Sequence, residues 1–233
     1  MIRKDIVFTK MIDRISDHYF PQPSSFFLPE WYKKTDNYTD IKKNITQKNE
    51  TNGTIKKCIP IFDALTSGYI IPTYCDLIIK KDENGNRTFT TPIDTNIEFH
   101  SVEQAPYHPK ASNQMYPKWI NPWGIKTPKG YSSLFIPPLH SLNEYFSILP
   151  GLVDTDKYNY SVNFPFVLND PNFEGLIPAG TPMALVIPIK RDNWKSISGS
   201  NIERIKIFKQ FDLLSSIFFD RYKNLFWEKK VYK

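Results

Sequence analysis

Hydrophobic residues fall in short runs through the middle of the chain, cut by Pro, Gly, Asn and Asp, and only near the C-terminus do they recur at three- and four-residue steps. The two patterns predict different elements. From Lys56 to Thr91 the pattern is that of strands: Ile70, Ile71, Tyr74, Leu77, Ile78 and Ile79 flank Pro72, and Asn84-Gly85 separates this run from Arg87-Thr88-Phe89-Thr90. Asn-Gly between two such runs marks a hairpin, and Pro72 needs an edge or a bulge because it cannot donate to a ladder. Ile93 to His100 alternates as a further strand, and four short apolar segments lie between Gly130 and Ile189. Ala105 to Lys129 reads as a long loop dense in Pro and Trp.

At the C-terminal end Ser200-Asn201-Ile202-Glu203 fits a capping box, in which the Ser hydroxyl accepts from the Glu amide and the Glu carboxylate reaches back. Behind it Ile205, Phe208, Phe211, Leu214, Phe218, Tyr222 and Leu225 predict a helix of roughly seven turns with a wide apolar face. That face must be covered by the protein's own sheet or by a second copy. Met1 to Pro29 reads as an aromatic, proline-broken arm, with one helical turn from Pro29 to Lys34, because Pro suits a first helical position. Asp36 to Thr54 is polar and without period, a loop.

The expected fold is mainly β, a distorted β-sandwich or barrel of β-clip or jelly-roll-like form, with an N-terminal arm and one long C-terminal helix. Residues 1–55 are the arm and polar loop, 56–195 the β-rich domain, and 196–233 the helix packing on it. No alternation of strand and helix supports an α/β layer.

The 233 residues suffice for a core without staples, and Cys58 and Cys75 are too few for a disulfide framework and match no zinc or redox spacing. Both read as buried small hydrophobes. The absence of an 18-residue apolar run and of a signal-peptide core after Met1 leads us to expect a protein of the host cytoplasm or of a particle assembled there. The net charge of +6 is spread over Lys pairs interleaved with acids. Nucleic acid is therefore not the expected partner, since it would need one continuous basic stripe. A protein partner or a second copy is.

Candidate chemistry is thin. Glu98 and His100 alternate onto one strand face and His108 follows, with His140 further on, so a metal-dependent oxygenase site on a β-barrel can be drawn if they converge. Ser132 and Ser133 lie in no nucleophile elbow, and both the dinucleotide Gly motif and the phosphate-loop Lys motif are missing. No cofactor is expected. Trp119 and Trp123, with Tyr107 and Tyr116, lie on the Pro-rich stretch. They form either a stacking platform for a base, a sugar or a proline-rich peptide, or the lid that fills volume over the β core.

Gly151-Leu152-Val153-Asp154-Thr155-Asp156-Lys157-Tyr158, Gly130-Tyr131-Ser132-Ser133-Leu134 and Ala179 to Leu185 together resemble, over about 125–190, the dUTPase and dCTP deaminase β-barrel. The resemblance implies that Asp154 meets a deoxyribose, Tyr158 stacks on it, and Ser132 and Ser133 belong to a phosphate loop. The family's phosphate-loop arginine is Tyr131 here, and the arginine and glutamine of its Gly-led strand are Pro182 and Leu185. A triphosphate needs such fixed donors, so dUTP hydrolysis is not expected. A longer likeness, from Cys58 to Trp194, rests on Ser67-Gly68-Tyr69-Ile70-Ile71-Pro72, Thr127-Pro128-Lys129-Gly130-Tyr131 and Ile177 to Ile187 with Lys190-Arg191. There the chain resembles a bacterial and bacteriophage family with no established activity. With the Ile, Lys and Asn bias of an AT-rich genome, it implies a phage origin. The functional expectation is a non-enzymatic interaction or virion-associated module, with a diverged nucleotide binder or enzyme centred on Asp154 as the alternative.

Overall fold

A computed structural model describes residues 4–39, 53–92, 97–104, 116–140, 142–215 and 221–233. Its strands are β1 (Val7–Lys10), β2 (Gln22–Pro23), β3 (Tyr69–Pro72), β4 (Leu77–Lys81), β5 (Arg87–Thr90), β6 (Ile97–His100), β7 (Tyr116–Trp119), β8 (Trp123–Lys126), β9 (Tyr131–Ile136), β10 (Phe146–Ile148), β11 (Gly151–Val153), β12 (Phe164–Leu168), β13 (Gly175–Ile177) and β14 (Pro182–Lys190). The helices are α1 (Glu30–Lys34), α2 (Ile59–Thr66), α3 (Asn201–Ser215) and α4 (Arg221–Leu225). The protein is mainly β and sandwich-like, built from antiparallel sheets that do not close into a barrel among the described residues.

The largest sheet has the order β11-β9-β14-β3-β2, and a second runs β10-β12-β7-β6. Between them Phe135 of β9 packs on Phe164 of β12 with ring centroids 5.5 Å apart, and within the second sheet Phe146 of β10 lies 4.9 Å from Phe166 of β12. Alternate residues of the large sheet, Ile71, Phe135, Ala184 and Val186, join Trp119, Phe146, Ile148 and Phe166 in one core. The three-stranded sheet β13-β4-β5 adds Leu77, Ile79 and Ile177 to it. On the large sheet's other face the cross-strand partners Leu185 and Ile70 are also buried.

Local chemistry explains several elements. Asn84-Gly85 turns between β4 and β5 with Gly85 at φ 79°, and the Asp82 carboxylate accepts from the amides of Asn84 and Asn86 at 2.9 and 2.8 Å. Pro72 sits where the β3–β14 register slips between Pro182 and Ala184, the irregularity a strand Pro requires. Glu30 to Lys34 forms the short helix expected behind Pro29.

Other expectations are corrected. Ile59–Thr66, read as part of a β stretch, is helix α2, entered with Pro60 in its first turn and backed by the Thr66 hydroxyl donating to the Phe62 carbonyl at 2.8 Å. The stretch read as a loop from Ala105 contains β7 and β8 once the described residues resume at Tyr116. The strand expected from Ile93 is described from Ile97, residues 93–96 lying outside the described residues. The polar loop of Asp36 to Thr54 lies outside them from 40 to 52.

The C-terminal region also differs. The capping box forms, with the Ser200 amide donating to Glu203 Oε2 at 2.6 Å and the Glu203 amide to Ser200 Oγ at 3.3 Å. The helix it opens is described for 15 residues, about four turns, and then as α4, with 216–220 outside the described residues. From Asn201 to Gln210 every residue of α3 is exposed, so this part of the helix does not lie against the sheet. Contact with the body is made by the residues after α4. Trp227 Nε1 donates to Asp63 Oδ2 of α2 at 2.9 Å, Lys230 pairs with the same carboxylate at 2.8 Å, and the Tyr232 ring meets Tyr69 at 5.7 Å. No described helix is long and apolar enough to cross a membrane.

Candidate functional site

Antiparallel pairing of β14 with β9 sets Ile189 opposite Ser132 and Lys190 opposite Tyr131, and the Arg191 amide extends the ladder by donating to the Gly130 carbonyl at 2.8 Å. On the other side of β9, Val153 of β11 pairs with Ser133. Beyond β11 the chain turns, with the Asp154 carbonyl accepting from the amides of Lys157 and Tyr158 at 2.9 and 2.8 Å. Three elements thus deliver Ser132, Asp154, Asp156 and Arg191 to one place at the edge of the large sheet.

Their contacts form a closed network. Ser132 Oγ donates to Asp154 Oδ1 at 2.7 Å and accepts from Arg191 Nη1 at 3.1 Å. Arg191 also lies 3.1 Å from Asp154 Oδ1, donates to the Tyr131 carbonyl at 3.1 Å and to Asp156 Oδ1 at 2.8 Å, and forks its second nitrogen onto Asp156 Oδ2. The Gly130 amide donates to Asp156 Oδ2 at 2.8 Å. The Asp156 side chain is only 4% exposed, against 49% for Asp154. The Arg191 guanidinium and then the Gly130 amide hold the Asp156 carboxyl at a pKa of about 2. The Ser132 hydroxyl, with Arg191 behind it, lowers that of Asp154, and the two carboxylates raise that of Arg191.

Ser133 belongs to a different set. Its hydroxyl lies 2.8 Å from Thr155 Oγ1, which lies 2.8 Å from Thr127 Oγ1, and Thr127 donates on to the Tyr131 carbonyl at 3.1 Å. All three residues are buried, so this chain of hydroxyls holds the turn to the sheet from inside. Tyr158 is exposed. Outside the network, Lys4 caps Tyr131, its ammonium 4.2 Å from the ring centroid and donating to the phenol oxygen.

Of the residues expected to form a site, Ser132 and Asp154 meet, and Ser133 stands behind them. Trp119 and Trp123 do not form an exposed platform. Both are essentially fully buried, Trp119 against Phe146 and Phe166 and Trp123 against Phe20, since large rings contribute most when they enter the core. Tyr116 is buried with them, and Tyr107 lies outside the described residues. The metal candidates are placed apart by their partners: Glu98 pairs with Lys118 on the adjacent strand at 2.7 Å, and His100 Nδ1 lies 2.9 Å from Gln104 Oε1. His140, at φ 57°, lies edge-on to Trp31. His108 is outside the described residues, and among those no group of three His, Cys, Asp or Glu side chains is placed to hold a metal.

Two members of the network were not singled out from sequence. Arg191 and Asp156 are 35 residues apart, and the pairing of β14 and of β11 on the two sides of β9 brings them together. The legible signal was the Pro-x-Lys-Arg ending of the last strand, whose polar end had to cross the start of β9.

The arrangement is chemically self-sufficient. The Arg191 guanidinium is engaged by two carboxylates, a hydroxyl and a carbonyl, and the Ser132 hydroxyl is held between Asp154 and Arg191. An incoming phosphate would meet the half-exposed Asp154 carboxylate, which repels it, beside an Arg191 already paired. Compared with models of known protein families and with curated proteins, the chain matches none.

Proposed function

We propose that this protein is a non-enzymatic interaction module, of the virion-associated kind that the resemblance to phage proteins suggests, acting in the host cytoplasm or in the particle. One observation carries the reading. From residue 192 to Gln210 every residue of the chain is exposed as it leaves the β body, with Trp194 90% and Ile197 78% exposed before α3 and Ile205 and Phe208 more than half exposed on it. The segment is tied down at both ends, by Arg191 to Asp156 and by Trp227 to Asp63. An apolar arm held away from its own core is a surface made for another macromolecule.

The docking surface is therefore this arm, since Tyr116, Trp119 and Trp123 are spent on the core. The test is the double substitution Ile205→Lys with Phe208→Lys, measured by urea unfolding in dilute protein. Side chains that serve a partner leave the monomer's stability within about 0.5 kcal/mol. A loss of about 2–5 kcal/mol, the cost of emptying a core site, would mean that α3 belongs to the protein's own fold and would end this reading.

A second reading, a diverged nucleotide binder, is favoured by one feature: Arg191 supplies a guanidinium beside Ser132 and Asp154, where the dUTPase-like pattern otherwise lacks one. A deoxynucleotide at about 100 times its dissociation constant would add roughly 2.7 kcal/mol to stability. A thermal shift with a deoxynucleoside triphosphate that vanishes in Asp154→Ala would establish it, and no shift would exclude it.

A further inference from the structure

We propose that the occupant of the exposed arm is a second copy of this chain, paired through α3 about a two-fold axis; this rests on the interaction reading above. The exposed surface of Trp194, Ile197, Ile202, Ile205, Ile207 and Phe208 comes to on the order of 800 Å², the area one partner contributes to a standard interface. The apolar residues also lie round more than one side of α3, since Ile207 falls off the line through Ile205 and Phe208. A helix apolar on several sides is stable when other helices surround it, and a partner helix supplies that.

Charge decides between a copy and an oppositely charged partner. The whole chain carries +6, yet from residue 192 to 215 four basic residues, Lys195, Arg204, Lys206 and Lys209, stand against three acids, Asp192, Glu203 and Asp212. The arm is close to neutral, so two copies meet there without the repulsion that the rest of the surface would impose. A nucleic acid or an acidic protein would be expected to select a basic arm.

The geometry suits an isologous contact. Ile205 and Phe208 are one turn apart on a common side of α3, and the Arg204 guanidinium lies 5.6 Å from the Phe208 ring, flanking that side. An antiparallel crossing midway between them sets Ile205 of one copy against Phe208 of the other, and the reverse, so a single surface satisfies both partners. Trp194 and Ile197, on the extended lead into α3, then close over the helix pair from each end.

The experiment is sedimentation velocity on the full chain over about 1–100 µM, on the wild type and on Ile205→Lys with Phe208→Lys, with Trp194→Ser as a second variant outside the helix. The wild type is expected to pass from monomer to dimer across the range, the double variant to stay monomeric, and Trp194→Ser to dimerise at least several-fold more weakly. A wild type that stays monomeric at every concentration would overturn the proposal, as would a double variant that still dimerises. The first result with an unchanged urea midpoint in the double variant points to a different protein as occupant and leaves the interaction reading standing. A lowered midpoint in dilute monomer removes both, because α3 is then part of the protein's own core.

Discussion

Asp156 shows how one side chain can carry the join of three elements. Its carboxylate takes Arg191 from the end of β14 and the Gly130 amide from the turn before β9, while its own backbone follows β11. Because its folded pKa, about 2, lies below the ordinary 3.8, the charged form is favoured by folding. Its contribution is complete above the ordinary value and is lost as pH falls from about 4 to about 2. Asp156→Asn should therefore have a lower thermal midpoint than the wild type at neutral pH, and the two should converge as acid is added. Midpoints taken from pH 7 to pH 2 test this, and a difference that stays constant to pH 2 would show that the charge is not what the site uses. Thr155 is the buried counterpart. Its hydroxyl is the link between Ser133 and Thr127, so Thr155→Val leaves both of those hydroxyls without it and should cost about 1–3 kcal/mol in urea unfolding.

At the scale of elements, structure written in local chemistry was readable and structure written in tertiary contacts was not. Asn84-Gly85, Pro72 and the Ser200-Glu203 box each specify their own geometry within four residues, and each forms as expected. The strands β7 and β8 contain Pro117 or follow Pro122, and that punctuation reads as loop. What makes them strands is distant: Trp119 lies opposite Phe164 and Ile97, and Gly124 opposite Thr9. The same holds for the site. Ser132 and Asp154 could be picked out from a short motif, whereas Arg191 and Asp156 become site residues only through the registers of β14 and β11 on β9. The apolar spacing behind Ser200 predicted a helix, and Ile205 and Phe208 of its face are exposed; periodicity reports which side could be covered and not by what. The capping box tests α3 as an independent element: Ser200→Ala removes the acceptor of the Glu203 amide and should cost the helix about 0.5–2 kcal/mol. Far-ultraviolet circular dichroism should show lost helicity while the body's unfolding midpoint stays in place; a joint fall would tie the helix to the core.

For the whole molecule the segment expected to be an arm packing on the body is joined to its sheets at two places. β1 pairs with β8 from Val7 opposite Lys126 to Lys10 opposite Trp123, and β2 pairs with β3. Between them Ile15 is buried in the core, with Ile6, Phe8, Ile12 and Tyr19 packed against it, and Phe20 meets Trp123 with ring centroids 5.2 Å apart. Full burial of a large apolar side chain contributes about 1.5–3 kcal/mol. Even partly realised over these residues, that is comparable with the roughly 5–15 kcal/mol net stability of a whole domain. Removing residues 1–23 would also take from β8 its partner β1 and uncover the edge of β3 that β2 now covers, leaving two strand edges open to other chains. The truncated chain is therefore expected to lose its cooperative unfolding transition and to aggregate, whereas Ile205→Lys with Phe208→Lys in the C-terminal arm should leave that transition in place. Calorimetry on the two proteins side by side decides it. A truncated chain that melts cooperatively near the wild-type midpoint would return residues 1–23 to the status of an appendage and place the independent body between residue 24 and Lys190.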